Sequence, residues 1–243
     1  MPYYIILCEG KTDSFIINLI MGRYGFKYLD KKRAKDKISF KTLKNQNLDY
    51  FTDGSYCLII WNTAGCTNIP YAVDEIKKLM LNIGDEIESL AIVMDKDFNT
   101  ETQLLSQFSS FFNLEGNLKN AVWNKHNYRD AFSEEKALKI LLNVIPHENF
   151  GALETLMFDS LKNRGKEENE MALDVESMVD GFQTKKISYF EKDRAVIKSK
   201  LGCMVNLLDP ERTFYDIIDS FSGIAWEEDE NVIEHFQSLN RYK

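Results

Sequence analysis

Two short acidic motifs stand where apolar runs end. Glu9-Gly10-Lys11-Thr12-Asp13 follows the run Tyr3 to Cys8, and Asp95-Lys96-Asp97 closes the run Ser89 to Met94. Gly10-Lys11-Thr12 imitates the end of a phosphate-binding P-loop, but that loop needs a glycine five positions earlier, where this chain has Ile5. The acids flanking the triplet therefore carry more information than the lysine and threonine inside it. A carboxylate at the end of a buried strand, as Glu9 would be, is costly without a counter-charge. In an extended chain the spacing of Asp95 and Asp97 puts both side chains on one side. If the two runs are neighbouring strands of a parallel sheet, their carboxyl ends share a crevice and Glu9, Asp13, Asp95 and Asp97 converge there. Clustered hard oxygen ligands suit Mg2+ or Mn2+. Such ions lower the pKa of a bound water and stabilise the oxygens of a phosphoryl displacement. Plainer roles stay open: Asp13 as a helix cap, and either Asp95 or Asp97 as the cap of the turn leading to Thr100.

The surrounding sequence shows what must position these residues. "YYIILC", "YCLIIWN" and "SLAIVMD" read as buried strands, each bounded by turn or capping residues. Between them, "DSFIINLIMGRYG" and "IPYAVDEIKKLMLNIG" have helical spacing, the second with Pro70 in its first turn and Gly84 past its end. Thr100 and Gln103 have capping-box spacing ahead of "LLSQFSSFF". Strand and helix in alternation predict a mostly parallel α/β sheet flanked by helices. Past about residue 115 the pattern changes. "NAVWNKH" has the length of a short strand, "KILLNVIP" fits strand or helix, and the stretches 152–162, 167–179, 187–200, 213–221 and 231–239 are helical. The expected division is an α/β core over 1–125, with room to extend to about 165, and a mainly helical region over 126–243 packed on it.

The 243 residues, 44% hydrophobic and 28% charged, are enough for a sizeable core and exclude general disorder. No apolar run approaches the roughly 18 to 20 residues of a membrane span, and Met1-Pro2 leads straight into a strand-like run, which points to a cytoplasmic protein without membrane partners. Cys8, Cys57, Cys66 and Cys203 form no C-x-x-C pair, and His126, His147 and His235 are isolated, so no zinc site is expected. A net charge of -8 argues against nonspecific coating of nucleic acid. Locally, however, the segment from Arg23 to Lys44 is strongly basic, the segment 185–200 more weakly so, and "WEEDENVIE" is acidic.

Glu9-Gly10 after an apolar strand, Asp13 downstream, and Asp95-x-Asp97 ending another strand resemble the Toprim domain of topoisomerases, primases and OLD-type nucleases. The "EGKTD" form is most similar to the OLD and stand-alone Toprim-like branch, and the likeness covers roughly residues 3 to 125. "GALETLM", residues 151–157, resembles a segment of small Toprim-like proteins of the DUF3226 type. The resemblance implies a Rossmann-like fold, Glu9 as metal ligand or general acid/base, Asp95 and Asp97 as Mg2+ or Mn2+ ligands, Asp13 completing a second metal position and Glu154 approaching the site. It also implies a lysine near the transferring phosphate, for which Lys200, Lys198 and Arg194 are the candidates. Lys11 and Lys96 read as supporting or solvent-facing charges. The expected function is metal-dependent cleavage of nucleic-acid phosphodiesters, in phage or mobile-element defence, with an ATPase partner wherever cleavage is coupled to ATP. A metal-dependent nucleotidyl or phosphoryl transferase, and a non-catalytic Toprim-like protein that binds a partner, stand as alternatives.

Overall fold

The structure, a computed structural model, describes residues 1–30, 38–83, 87–97, 99–112, 118–147, 150–210 and 221–240. Five of the nine basic residues between Arg23 and Lys44, those from Lys31 to Lys37, lie outside the described residues, as do Gly84 and nearly all of the expected helix 213–221.

The fold is α/β, built on a seven-stranded mixed sheet. Its elements are β1 (Tyr3–Cys8), α1 (Lys11–Arg23), β2 (Lys27–Tyr28), β3 (Asn47–Thr52), β4 (Cys57–Asn62), α2 (Ile69–Ile83), β5 (Ile87–Asp95), α3 (Glu101–Phe112), β6 (Asn124–Arg129) and β7 (Glu135–Ile145). The strand order is β2-β3-β4-β1-β5-β7-β6. The four central strands β4, β1, β5 and β7 are parallel, and β2, β3 and β6 add antiparallel edges. The apolar runs occupy the centre because a parallel strand is covered on both faces, and every residue of β1 and β4 is buried. "KILLNVIP" resolves as strand, the end of the eleven-residue β7. β3 has no continuous apolar run, and β2 is two exposed residues, so neither stood out as a strand. Thr100 and Gln103 form the expected reciprocal cap: the Thr100 N–H donates to Gln103 Oε1 at 2.8 Å, and the Gln103 N–H to Thr100 Oγ1 at 3.3 Å.

Tyr3, Ile5 and Leu7 of β1 share one core face with Ile76 of α2 and Phe108 of α3. α1 lies on the opposite face, where it packs on β4 and buries Ile16, Ile17, Ile20 and Met21. The connections leaving β1 and β5 therefore run to opposite faces of the sheet. The gap between two adjacent parallel strands whose connections diverge in this way is where α/β proteins form their crevices.

The chain divides into two compact units, residues 1–150 with 235–243, and residues 151–234. The sheet thus continues well past residue 125, through β6 and β7, and the mainly helical part begins at 151. In the first unit hydrogen bonds from β1, β7 and the residue ahead of β6 hold the returning C-terminal segment. The Tyr4 hydroxyl donates to the Leu239 carbonyl at 3.1 Å, Trp123 Nε1 to that of Ser238 at 2.9 Å, and Asn143 Nδ2 to that of His235 at 2.9 Å. The second unit packs three helices against one another, α4 (Leu153–Lys162), α5 (Lys166–Thr184) and α6 (Asp193–Leu208). α6 starts and ends later than its sequence pattern indicated, after a single short turn at Ser188–Phe190. α7 (Glu230–Phe236) leads back to the first unit.

Candidate functional site

β1 and β5 are hydrogen-bonded neighbours, with Leu7 level with Ile92. That pairing brings Glu9 to the end of β5, where its Oε1 accepts the Asp95 N–H at 3.0 Å. Glu9 and Asp95 are each 3% exposed and Asp13 is 6% exposed, so three carboxylates are buried at the carboxyl edge of the sheet. Their field is felt at the buried Cys8 thiol. Burial pushes that thiol well above its usual pKa, and the negative charges of Asp13, Glu9 and Asp49 push it further in the same direction.

Asp13 does act at the helix start. Its Oδ2 accepts the N–H of Gly10, the N-cap of α1, at 3.1 Å, while the Ser14 N–H donates to the Gly10 carbonyl at 3.1 Å. Gly10 itself is extended, with φ -136°, so no left-handed turn calls for glycine there. The constraint is one of space, because a Cβ at Gly10 would lie 3.0 Å from Asp13 Oδ2.

The loop after β4 props up the end of β1. Both the N–H and the hydroxyl of Thr63 donate to the Cys8 carbonyl, at 2.9 and 3.0 Å, and the Gly65 N–H donates to the Glu9 carbonyl at 2.7 Å. Sequence reasoning saw only a glycine turn in this loop and passed over Asp49 in β3. Neither carries a local motif; strand pairing brings the loop to the end of β1 and sets Asp49 one strand further out, in β3 beside β4.

The second acidic motif departs from its expected geometry. The chain is extended through Asp95, but Asp97 has φ +48°, so the alternation that would put both aspartates on one side does not reach it. Lys96, expected to be a supporting or solvent-facing charge, is buried. Its N–H continues the ladder to the Ile145 carbonyl at 2.7 Å, its Nζ donates to the His147 carbonyl at 3.0 Å, and the ammonium lies 5.7 Å from the Phe150 ring centre.

The remaining expected residues belong to the helical unit. Glu154, in the first turn of α4, is buried with its Oε1 3.2 Å from Lys198 Nζ on α6. Lys200 Nζ lies 2.8 Å from Asp180 Oδ1 on α5. Each lysine thus pairs with an acid of its own helical unit. The start of α4 requires glycine at 151, where φ is +142° and a Cβ would fall 2.5 Å from Thr155 Oγ1.

In donor chemistry, Glu9, Asp13 and Asp95 fit a hard divalent cation: they are all carboxylate oxygens, buried at one edge of one sheet. In present arrangement, one oxygen each of Glu9 and Asp13 is on a backbone amide, and among the described residues no three His, Cys, Asp or Glu side chains are grouped as a metal site requires.

A family model described as "Protein of unknown function (DUF3226)" matches residues 3–240. Among solved structures, the chain is similar to a hypothetical protein, PH0156, from Pyrococcus horikoshii OT3. The identity is 17%, the TM-score is 0.53, and the match covers 99% of this chain and 96% of that one. This likeness extends the fold, and the fold alone, to a second protein. No curated protein matches the chain.

Proposed function

This chain belongs to the DUF3226 family, and we propose that it is a Toprim-like, divalent-metal-dependent phosphodiesterase acting on nucleic acid. The observation that carries the reading is the hydrogen bond from the Asp95 backbone N–H to the Glu9 carboxylate, which puts two buried acids of separate motifs at the carboxyl ends of the neighbouring strands β1 and β5. Buried carboxylates that do not neutralise one another are costly to keep together, and a structure retains them where a cation or a proton-transfer task uses them. Glu9 and Asp95, with Asp13 from the first turn of α1 drawn in as a third ligand, would hold Mg2+ or Mn2+. The ion, when bound, supplies charge neutralisation at the phosphoryl oxygens and a more acidic water. Where Glu9 serves as general base in place of a ligand, its second carboxylate oxygen would accept the proton of the attacking water, and the Asp95 amide fixes the direction of the carboxylate. The Thr63 and Gly65 bonds to the carbonyls of Cys8 and Glu9 keep the end of β1 from shifting as charge changes nearby.

A phosphoryl transferase on small substrates is the second reading, favoured by the net charge of -8. The test is cleavage of end-labelled single-stranded DNA, duplex DNA and RNA with Mg2+ or Mn2+, comparing the parent with Glu9→Gln and Asp95→Asn. Cleavage by the parent is expected, with a loss on the order of 100-fold or more in each variant. Failure of the parent on every substrate with both metals, or variants that cleave as the parent does, overturns the proposal.

A further inference from the structure

The edge of the first unit away from the acids holds a cavity of about 450 Å3 between the last turns of α2 and α3 and the strand β6. Its position follows from register. His126 and Tyr128 of β6 pair with Leu138 and Lys136 of β7, whereas Asp95 pairs with Ile145 at the other end of that strand. The seven positions from Leu138 to Ile145 correspond to about 23 Å along the strand. The cavity is therefore separate from the acidic crevice.

Its walls combine flat rings with one cation. His126 and Tyr128 are two residues apart and so project from the same face of β6. Their rings are nearly parallel, 12° apart, and stack with centroids separated by 6.2 Å. Phe112 meets the His126 ring edge-on at a centroid distance of 5.9 Å, and Met80 adds a polarisable thioether. Lys77 is the charged group among the lining residues. Its Nζ donates to the Phe111 carbonyl and lies 5.2 Å from the Phe112 ring centre, so the ammonium is anchored by its own neighbours. Burial, with Lys77 adding to it, lowers the His126 pKa, so at neutral pH its ring is an uncharged stacking surface that can donate one hydrogen bond and accept another. A volume in the range of small-ligand sites, a stacked aromatic pair in the wall and an ammonium held among the lining residues match a planar heterocycle joined to an anion.

We propose that this cavity binds a nucleobase with its adjoining phosphate, the base extending the His126–Tyr128 stack and the phosphate facing Lys77. The same chemistry is offered by a free nucleotide and by one residue of a single strand. Stacking on aromatic side chains tolerates any base, so the cavity discriminates little among the four. The inference stands apart from the reading of the acidic crevice.

Calorimetric titration of the full chain with AMP, CMP, adenosine and a single-stranded decanucleotide tests it, with Tyr128→Ala, Lys77→Met and Glu9→Gln compared in parallel. Saturable binding of the nucleotides is expected, weakened about five-fold or more by Tyr128→Ala. Lys77→Met should weaken AMP but leave adenosine unchanged, and Glu9→Gln should leave both unchanged. Tighter binding of the decanucleotide than of AMP identifies a strand as the source, and equal or weaker binding identifies the free nucleotide. Absence of binding by the parent overturns the proposal, as does binding insensitive to Tyr128→Ala and Lys77→Met in variants whose melting temperature matches the parent's. If Glu9→Gln alone abolishes binding, the ligand sits in the acidic crevice and the cavity assignment is wrong. Loss of cleavage in Glu9→Gln with nucleotide binding intact separates the two proposals.

Discussion

Cys8 ends β1 one residue before Glu9, and its thiol records the chemistry of its surroundings. Burial is the larger reason that its pKa is raised, and the charges of Asp13, Glu9 and Asp49 come next. A thiol so placed is a small apolar filler, since the thiolate is the reactive form. The prediction is that at pH 8 a disulfide-type thiol reagent modifies the exposed Cys66 of the folded protein, while Cys8 reacts only after denaturant is added. Peptide mapping that finds early modification of Cys8 would contradict the electrostatic description of the site. The acid pair can be tuned without being dismantled, because Glu9→Gln keeps an amide oxygen able to accept the Asp95 N–H. Lys96 and Asp97 show what a local pattern hides. Their residue types suggested a solvent-facing or supporting cation and a second inward acid, yet Lys96 is buried against the carbonyl of His147 and Asp97 sits in the left-handed region.

The start of α1 couples structure to the site at the scale of an element. Asp13 satisfies the Gly10 N–H from inside the first turn and also places a negative charge where a helix N-terminus favours one. Removing this acceptor by Asp13→Ala should cost about 0.5 to 2 kcal/mol in urea unfolding. Gly10→Ala puts a methyl group 3.0 Å from the same carboxylate and should destabilise the parent by displacing it. In the Asp13→Ala background that conflict is gone, so the double variant should be more stable than the sum of the single effects by about 0.5 kcal/mol or more. Additive effects would mean that Gly10 is needed for some other reason. Most elements were legible in sequence for one reason: a long apolar run, or a helical repeat with a cap such as Thr100 and Gln103, states its own burial. β3 and β2 were not, because an edge strand with one exposed face, or one only two residues long, has too little pattern to stand out from a loop.

At the scale of the molecule, two compact units share one chain, and the first is completed by residues 235–240 returning to the sheet through Tyr4, Trp123 and Asn143. The stability of that unit should depend on pH through His126, whose pKa is lowered first by burial and then by Lys77. The unfolded chain takes up this proton more readily than the folded one. The contribution is therefore present above the ordinary value of 6.5 and is lost as pH falls through the lowered folded value. Denaturant unfolding followed by Trp61 and Trp123 fluorescence, in a Trp226→Phe background that silences the second unit, should show stability falling as pH drops below 6.5. The slope should be smaller in His126→Gln, and an unchanged slope would rule out His126 as the cause.

By itself the sequence determined the class of the fold, the residues of β1, β4 and β5, and the acids that end two of those strands, because burial and turn chemistry are written in local order. It also ruled out a P-loop through the single residue Ile5. Tertiary structure alone decided that β1 lies beside β5, so that the Asp95 amide reaches Glu9, since partner choice among buried strands depends on contacts far apart in the chain. It likewise assigned Glu154, Lys198 and Lys200 to ion pairs within a helical unit of their own, and set His126 and Tyr128 over a cavity at the other edge of the sheet. Charge and spacing along a chain say which groups are available, and only packing says which of them meet.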